Sequence, residues 1–262
     1  MAVARARRDD RDRDRRGPAA RTAEEGLTPI AAAPYSPEPV DPDAYTRAND
    51  RLYTRFARLY DVVVKATPAW RRWLGSALPE IHGPRVLEVS FGTGWLLTRY
   101  AGRFRTDGVD LNPAMLDVAR RNLDRAGLFA DLRQGDVEHL PYPDATFDTV
   151  VNTMAFTGYP DAAAAASELA RVLKPGGRLV LVDIGYPADG NRVGTALVNR
   201  VWKPLGDLVR DMPVVLSGVG LEVRDDEVGG WGSVHRYLAT KPARLDDVVE
   251  SDRTVGPRPK DE

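Results

Sequence analysis

The sequence predicts an α/β fold: a Rossmann-like, doubly wound sheet of seven strands, mostly parallel with one antiparallel strand near the edge, preceded by an N-terminal helical cap. Three observations carry this prediction. Short apolar runs alternate with helical patterns from about residue 84 onward, which is typical of parallel strands joined by crossover helices. The first run ends in a Gly-rich turn, Gly92-Thr-Gly94. The last two runs are separated by Gly229-Gly-Trp-Gly232, a link short enough to join antiparallel neighbours.

The two ends of the chain lack this regular pattern. Residues 1–44 are rich in Arg, Asp, Ala and Pro and poor in large apolar residues, which predicts a disordered tail. Residues 242–262 are charged and predict a second flexible tail.

A helical cap is predicted over residues 45–83. Its first helix has apolar residues at helical spacing: Leu52, Phe56, Leu59, Tyr60 and Val63. A second helix is indicated by Trp70, Trp73, Leu74 and Leu78. Pro79 and the Gly83-Pro84 pair end this helical region before the first strand.

The main domain is expected over residues 84–241. The predicted strands are Arg85–Val89, Thr106–Asp110, Asp131–Gly135, Phe147–Asn152, Arg178–Ile184, Leu221–Val228 and Ser233–Thr240. The predicted helices are Gly94–Gly102, Pro113–Ala126 and Asp161–Leu173, the last ended by Lys174-Pro-Gly-Gly177. Residues 190–219 read as a helical insertion or lid, interrupted at Pro204 and Pro213.

Composition excludes several classes of function. The chain of 262 residues carries a formal net charge of −1, which does not favour nucleic acid as a partner. It has no cysteine and only three histidines, His82, His139 and His235, far apart in sequence, so no metal site is expected. No apolar run reaches the roughly 18 residues that span a bilayer. We expect a cytoplasmic protein, and the sequence leaves its oligomeric state open.

The turn after the first strand indicates the kind of ligand. The third glycine of a dinucleotide-binding turn would fall at Leu97, so the approach that serves a pyrophosphate is not provided. Glu88, inside the strand end, would repel phosphates but suits a cation. Both facts fit a ligand with an adenosine end and a positively charged amino-acid end, such as S-adenosylmethionine.

Four segments carry a family resemblance. They are Val86–Leu97, Gly108–Ala119, Gly135–Asp148 and Glu168–Asp183. In this order and spacing they resemble the class I S-adenosylmethionine-dependent methyltransferases, most closely the branch of quinone C-methyltransferases and phospholipid N-methyltransferases. The similarity covers about residues 53 to 240.

The resemblance implies a set of residues that bind S-adenosylmethionine. Glu88 would face the ammonium group, Asp110 the ribose hydroxyls, and Asp136 the adenine amino group, while Asn152 would line the place where cofactor and substrate meet. The complete implied set is Glu88, Ser90, Gly92, Thr93, Gly94, Asp110, Leu111, Met115, Asp136, Val137 and Asn152. From the residues alone, Asp110 is also explained as an acid preceding a helix, Asp136 as a turn residue and Met115 as a core residue.

The chain departs from the family pattern at two neighbouring positions. Ser90 stands where the family usually has glycine, and it fits there if its backbone angles are ordinary. Phe91 stands where a small residue is usual, and we expect it to shape the floor of the cofactor pocket.

The catalytic residues are not decided by the sequence. His139, Tyr159 and Tyr60 are weak candidates. His139 is also explained as a solvent-exposed residue of a loop, and Tyr60 as a residue packed in the core. Phe156 and Tyr159 would form a substrate wall, and His235 would fill one face of its strand. Arg210 and Lys203 would meet an acidic substrate.

The function predicted is methyl transfer from S-adenosylmethionine to a small-molecule or lipid-like acceptor, quinone-like or a specialised metabolite, by in-line displacement. A phospholipid (phosphatidylethanolamine-type) N-methyltransferase is the alternative, and Trp70–Leu78 and Val198–Leu216 would then touch a bilayer peripherally. Packing of these segments against the sheet is the simpler interpretation. A noncatalytic or repurposed adenosyl-ligand-binding protein stays open, whereas Leu97 argues against a nicotinamide-dependent oxidoreductase.

Overall fold

A computed structural model describes residues 66–243 together with Tyr35, Ser36, Asp41, Ala44 and Arg47. The first helix expected in the cap, with Tyr60, lies outside the described residues. So do most of the two predicted tails. The predictions made for those segments therefore stay predictions.

The sheet has seven strands in the order β3-β2-β1-β4-β5-β7-β6. Their bounds are β1 Arg85–Val89, β2 Arg105–Asp110, β3 Asp131–Gln134, β4 Phe147–Thr153, β5 Leu173–Ile184, β6 Glu222–Gly229 and β7 Val234–Thr240. Strands β1 to β5 pair in parallel, and β7 runs antiparallel to both β5 and β6. This confirms the predicted mostly parallel sheet with one antiparallel strand next to its edge.

The start of β5 differs from the prediction. The strand begins at Leu173, because Lys174-Pro-Gly-Gly177 stays in the sheet instead of leaving it as a turn. Its pairing with β4 jumps from Phe147 opposite Leu173 to Thr149 opposite Arg178. The extra residues on β5 bulge there, with Gly176 at φ +74°.

Helices cover both faces of the sheet. They are α1 Pro68–Gly75, α2 Leu97–Tyr100, α3 Pro113–Ala126, α4 Ala162–Val172, α5 Arg192–Leu197, α6 Lys203–Leu205 and α7 Met212–Gly218. Short 3₁₀ turns lie at Leu78–Glu80, Val137–His139, Phe156–Gly158 and Gly230–Gly232. Among the described residues no helix has both the length and the apolar character needed to cross a bilayer.

Helix α3 shows why the predicted bounds held. The Asn112 side-chain oxygen accepts hydrogen bonds from the Ala114 and Met115 amides, and Pro113 occupies the first helical position. Gly127 ends the helix in the left-handed region, at φ +65°. Helix α2 is shorter than predicted, since the chain is still turning at Gly94 and becomes helical only at Leu97.

The predicted lid does not break where the prolines suggested. A π-helical turn, Val198–Trp202, joins α5 to α6, so the chain stays helical from Arg192 to Leu205. Pro204 lies in the first turn of α6, where a missing N–H is tolerated, and the interruption expected at Pro204 is wrong. The helix ends at Gly206 (φ +109°), and Pro213 opens α7.

The core consists of two layers, one on each face of the sheet. In β1 the alternation is plain: Val86 packs on the α1, α2 and α3 side, while Leu87 and Val89 pack on the α4 and α7 side. Glu88, two residues after Val86, therefore points into the first layer. Burying an acidic side chain in that layer costs free energy unless a hydrogen bond or an opposite charge compensates for the lost water.

Candidate functional site

The turn between β1 and α2 depends on glycine for close packing. Gly92 and Gly94 have φ of +54° and +71°. A Cβ atom on Gly94 would lie 2.9 Å from the Cβ of Ala119, so glycine lets the turn approach α3. The Thr93 carbonyl accepts a hydrogen bond from Asn122 Nδ2 at 2.8 Å, which fixes the turn on the same helix.

Ser90 does not have the ordinary backbone angles that we expected. Its φ is +50°, in the left-handed region that favours glycine. Its amide donates to the Val109 carbonyl at 2.7 Å, and its Oγ lies 2.6 Å from the hydroxyl oxygen of Tyr159. These two bonds hold Ser90 in a conformation that a side chain disfavours.

Phe91 is buried in the core layer below the turn. A Cβ atom on Gly108 would come within 2.9 Å of the Phe91 ring, so glycine in β2 makes room for this aromatic side chain. The larger residue at this position is therefore accommodated by β2.

Asp110 closes β2 and joins the turn to the next helix. Its Oδ2 accepts from the Gly92 amide at 2.8 Å, and its Oδ1 accepts from the Asn112 amide at 2.9 Å. Two backbone donors on different segments fix the orientation of the carboxylate, which lies almost entirely out of solvent. Asp110 therefore does more than precede a helix, because its carboxylate also binds the glycine turn after β1.

Glu88 is a buried acid beside Asp110. Tyr100 of α2 donates its hydroxyl hydrogen to Glu88 Oε2 at 2.8 Å. Burial raises the pKa of Glu88 to about 8, since it outweighs the opposing effect of the Tyr100 bond, and the charge of Asp110 adds to the rise. A cationic ligand nearby would favour the ionised form.

Asn152 and Tyr159 meet at the carboxyl end of β4. Asn152 Nδ2 donates to the Tyr159 hydroxyl oxygen at 2.6 Å, and the same hydroxyl group contacts Ser90. Asn152 Oδ1 is buried and has no hydrogen-bond partner among the described residues. Burial raises the pKa of Tyr159, so this hydroxyl stays protonated and acts as a neutral hydrogen-bonding group.

The residues expected around adenine divide into two groups. Leu111 and Asp136 are exposed, whereas Met115 and Val137 are buried. Asp136 Oδ1 accepts from the Glu138 amide at 3.0 Å and so caps the 3₁₀ turn Val137–His139.

Several other predicted residues are exposed or serve packing. His139 is exposed on its turn, and Phe156 is fully buried in the core layer that contains α4 and α7. Arg210 is buried and donates to the carbonyls of Tyr159 and Pro160, which corrects the expectation that it meets an acidic substrate. His235 is buried on β7, as expected for a residue filling a strand face.

An acidic cluster that sequence analysis missed lies beside β4 and β5. Thr157 Oγ1 is 2.8 Å from Asp183 Oδ1 and 2.8 Å from Asp207 Oδ1. A hydroxyl has one hydrogen to donate, so both contacts are hydrogen bonds only when one of the two carboxyl groups itself holds a proton. Burial raises the pKa of both groups, that of Asp207 to about 6. Asp183 is the last residue but one of the parallel strand β5, a position from which it could have been predicted as a site residue, whereas no sequence pattern points to Asp207.

The residues at this edge fit S-adenosylmethionine. Buried Asp110 offers a carboxylate to hydroxyl donors, and buried Glu88 offers a carboxyl group that a bound ammonium group would hold in the ionised form. Asn152 Oδ1 is a buried hydrogen-bond acceptor that has no donor among the described residues. The turn Ser90–Gly94 leaves backbone close to the strand ends, where open α/β sheets bind ligands.

Comparison with known proteins decides the family. A family profile described as "Methyltransferase domain" matches residues 87–181. The chain is 34% identical over 159 residues to the demethylmenaquinone methyltransferase of Thermus thermophilus, covering 58% of this chain and 71% of that protein. The chain belongs to the class I S-adenosylmethionine-dependent methyltransferases.

Two other relatives of this methyltransferase are described as having different activities. It is 37% identical to the demethylmenaquinone methyltransferase of Deinococcus radiodurans, over 55% of this chain and 63% of that protein. It is 38% identical to the phosphatidylethanolamine N-methyltransferase of Cereibacter sphaeroides, over 52% of this chain and 68% of that protein. The chain therefore spans about two thirds of the length of these relatives.

Solved structures agree with the fold of this methyltransferase. The [4+2]-cyclase SpnF superposes with a TM-score of 0.63 at 19% identity, over 80% of this chain and 100% of that one. A methyltransferase of Thermotoga maritima, described as a possible histamine N-methyltransferase, has a TM-score of 0.57 at 19% identity, over 73% of this chain and 98% of that one.

Proposed function

We propose that this methyltransferase transfers the methyl group of S-adenosylmethionine to a small, quinone-like or specialised-metabolite acceptor. The observation that carries the proposal is the frame formed by Glu88, Asp110 and the turn Ser90–Gly94 at the carboxyl edge of the sheet. Hydrogen bonds tie the turn to Asp110 and, through Ser90, to Tyr159. Such a frame is built to hold one polar ligand in one orientation.

Each residue at the inner part of the edge has a proposed role. Glu88 pairs, directly or through water, with the ammonium of the cofactor's methionine part. The backbone of the turn, including Thr93, passes along the ligand. Asp110 accepts hydrogen bonds from the ribose hydroxyls. Asn152 lies where cofactor and acceptor meet, and its Oδ1 accepts a donor from one of them.

The outer part of the edge binds adenine in this proposal. Leu111 and Met115 pack beside the ring, Asp136 accepts from the exocyclic amine, and Val137 offers a backbone contact. The exposure of Asp136 is compatible with this role, because a ring bound on the surface of β2 and β3 would cover it.

The chemistry divides between the cofactor and the chain. S-adenosylmethionine, when bound, supplies an electrophilic methyl group on sulfur. The chain orients the acceptor in line with that carbon and keeps water out, and alignment of this kind lowers a barrier by up to about 7–11 kcal/mol. The neutral hydroxyl of Tyr159 holds the turn and β4 together and takes no proton.

Relatives support two classes of acceptor. Two of the relatives named above are demethylmenaquinone methyltransferases, which favours a quinone-like acceptor. The Cereibacter sphaeroides relative favours phosphatidylethanolamine as the second candidate.

Transfer of a labelled methyl group from S-adenosylmethionine tests the proposal. A demethylated quinol in detergent and phosphatidylethanolamine vesicles are offered separately to the full chain, and the lipid extract is analysed for label. We expect label in the quinol product. Label in phosphatidylethanolamine would select the second acceptor, and label in neither, with a protein that binds the cofactor, would contradict both.

A further inference from the structure

One side of the helical segment Arg192–Leu205 carries an exposed apolar stripe. Val193, Leu197, Val201 and Leu205 recur every four residues. In a regular α-helix such a row drifts around the axis, because one turn takes 3.6 residues. The π-helical turn Val198–Trp202 has more residues per turn and offsets that drift, so the row stays on one side. Val193, Val201 and Leu205 are 51%, 39% and 67% exposed.

A second exposed apolar side chain, Trp231, stands beside this stripe. It lies in the turn between β6 and β7, is 66% exposed and has φ +53°, with Gly230 and Gly232 on either side. Its carbonyl oxygen packs directly on Gly194, where even a Cβ atom would collide with it. The turn that carries the exposed Trp231 is therefore packed on the N-terminal part of the helical segment, next to Val193.

The helical segment itself carries charge of one sign, while the exposed acids Asp189 and Glu227 lie beside its N-terminal end. Between Gly190 and Gly206 the chain has three basic residues, Arg192, Arg200 and Lys203, and no acidic residue. Arg192 and Arg200 are exposed. Apolar side chains interspersed with cations, and a tryptophan at the margin, are the composition of helices that lie in the headgroup region of a membrane.

We propose that Val193, Val201, Leu205 and Trp231, with Arg192 and Arg200, form a surface that binds an anionic lipid bilayer. We call it the interfacial patch. Anionic headgroups supply the negative charge that the patch lacks, while its apolar side chains enter the acyl boundary. A second copy of the chain fits less well, since an isologous contact would bring the arginines of two copies together.

The interfacial patch goes beyond the proposed function. It places the segment expected to form a lid against a membrane, where a lipid-like acceptor is dissolved. Binding to a bilayer needs neither cofactor nor acceptor, so it is tested independently of methyl transfer.

Co-sedimentation of the full chain with vesicles tests the patch. Vesicles of phosphatidylcholine alone are compared with vesicles that also contain phosphatidylglycerol, at low and high salt. We expect binding to the anionic vesicles, weakened by salt. The charge-removing variant Arg192→Ala/Arg200→Ala should bind roughly thirtyfold more weakly, at about fivefold per cation. The arginine-rich N-terminus is the same in every variant, so differences between variants report the patch.

A matched pair of variants separates the patch from general surface effects. Leu205→Glu places a carboxylate on the patch, and Val214→Glu makes the same kind of change on α7 at a position of nearly equal exposure, 67% against 66%. Trp231→Asn removes the indole with a residue that tolerates the left-handed region. Leu205→Glu and Trp231→Asn should lose most of the binding, and Val214→Glu should keep it.

Three outcomes would overturn the proposal. The first is binding that does not depend on anionic lipid, and the second is equal binding by Leu205→Glu and Val214→Glu. The third is a change of oligomeric mass by Leu205→Glu without a change in vesicle binding, which would make the patch a contact between subunits. Vesicle binding without methyl transfer would leave the patch standing and count against the proposed function alone.

Discussion

At the scale of single residues, Ser90 is the most unusual feature of the site. A non-glycine residue at φ +50° costs free energy, and the hydroxyl bond to Tyr159 offsets part of this cost. Residues held in this way gather at functional sites, where the surrounding structure keeps them in place. Ser90 thus links the glycine turn to β4 at the centre of the frame.

Two substitutions at Ser90 separate strain from hydrogen bonding. Ser90→Ala keeps the strain and loses the bond, so the free energy of unfolding should fall by about 1–2 kcal/mol. Ser90→Gly loses the bond but also the strain, so it should be more stable than Ser90→Ala by roughly 1 kcal/mol. Urea unfolding of the two variants measures this difference. Equal stabilities would mean that the backbone angle at Ser90 carries no cost.

The raised pKa of Glu88 predicts that ligand binding releases a proton. A pKa of about 8 means that the carboxyl group is mostly protonated at pH 7, whereas a bound ammonium favours the ionised form. Binding of S-adenosylhomocysteine at pH 7 should therefore release about one proton. Calorimetry in two buffers of different ionisation enthalpy measures that number. Glu88→Gln should release none, and equal proton release by both proteins would contradict the role of Glu88.

At the scale of elements, the segment after α6 is fastened to the turn after β4. The Leu208 amide donates to the Thr157 carbonyl at 2.7 Å, Asp207 shares the Thr157 hydroxyl with Asp183, and Arg210 binds the Tyr159 carbonyl. The turn that carries Tyr159 to Ser90 thus also anchors the segment that was predicted to form a lid. Residues 157–159 thus connect the turn after β1 with the segment that follows α6.

The shared proton makes this attachment depend on pH. The folded-state pKa of Asp207, about 6, lies above its ordinary 3.8. Stabilisation by the bound proton is therefore complete below about pH 4 and is lost as the pH rises through about 6. Asp207→Asn, which keeps a donor for Thr157, should raise the free energy of unfolding at pH 8 by up to about 3 kcal/mol and at pH 5 by about half as much.

Urea unfolding at both pH values measures the effect of Asp207→Asn. Asp117→Asn, at an exposed carboxylate on α3, is the control and should change little at either pH. A gain that is the same at pH 5 and pH 8 would contradict the shared proton.

The hairpin of β6 and β7 contains a second titrating group. His235 Nδ1 lies 2.7 Å from Asp225 Oδ1, and Nε2 lies 2.9 Å from the Gly232 carbonyl oxygen. Both ring nitrogens face acceptors, so both contacts are hydrogen bonds when the ring is a doubly protonated imidazolium. Burial lowers the pKa of His235, but the hydrogen bond and charge of Asp225 outweigh burial, and the net pKa is raised.

Because the pKa of His235 is raised in the fold, its protonation stabilises the folded protein. This stabilisation is fully present below about pH 6.5 and is lost as the pH rises through the folded-state pKa of His235. NMR titration of the imidazole proton, assigned by its absence in His235→Gln, should show a midpoint above about 6.5. The variant should lose about 2 kcal/mol of unfolding free energy at pH 6 and less at pH 9. A midpoint below that of an ordinary histidine would contradict the imidazolium.

At the scale of the whole molecule, the number and direction of the strands could be predicted because both depend on local signals. The alternating apolar runs predicted parallel strands, and the short link Gly229–Gly232 predicted the antiparallel β7. Asn112, Pro113 and Gly127 bounded α3. The acids proposed for the site could be singled out because each lies at or just after the end of a strand, and parallel strands end at one edge of the sheet.

The rest depended on contacts that distant segments make. The left-handed Ser90 needs Val109 and Tyr159, which no local pattern connects to it. Asp207 meets Asp183 only through Thr157. Pro204 reads as an interruption, whereas a π-helical turn just before it lets the helix continue. Sequence patterns report local preference, and tertiary contacts overrule it at these positions.

Titration calorimetry of the full chain with S-adenosylhomocysteine tests the central claim most directly, with Asp110→Ala and the exposed Asp117→Ala as a matched pair. We expect micromolar binding by the wild type and Asp117→Ala, and a loss of at least about tenfold in Asp110→Ala, since the ribose hydroxyls would face a site without its acceptor. NADH should not bind. Equal affinities of the two variants, or no binding by the wild type, would contradict a cofactor site at this edge of the sheet.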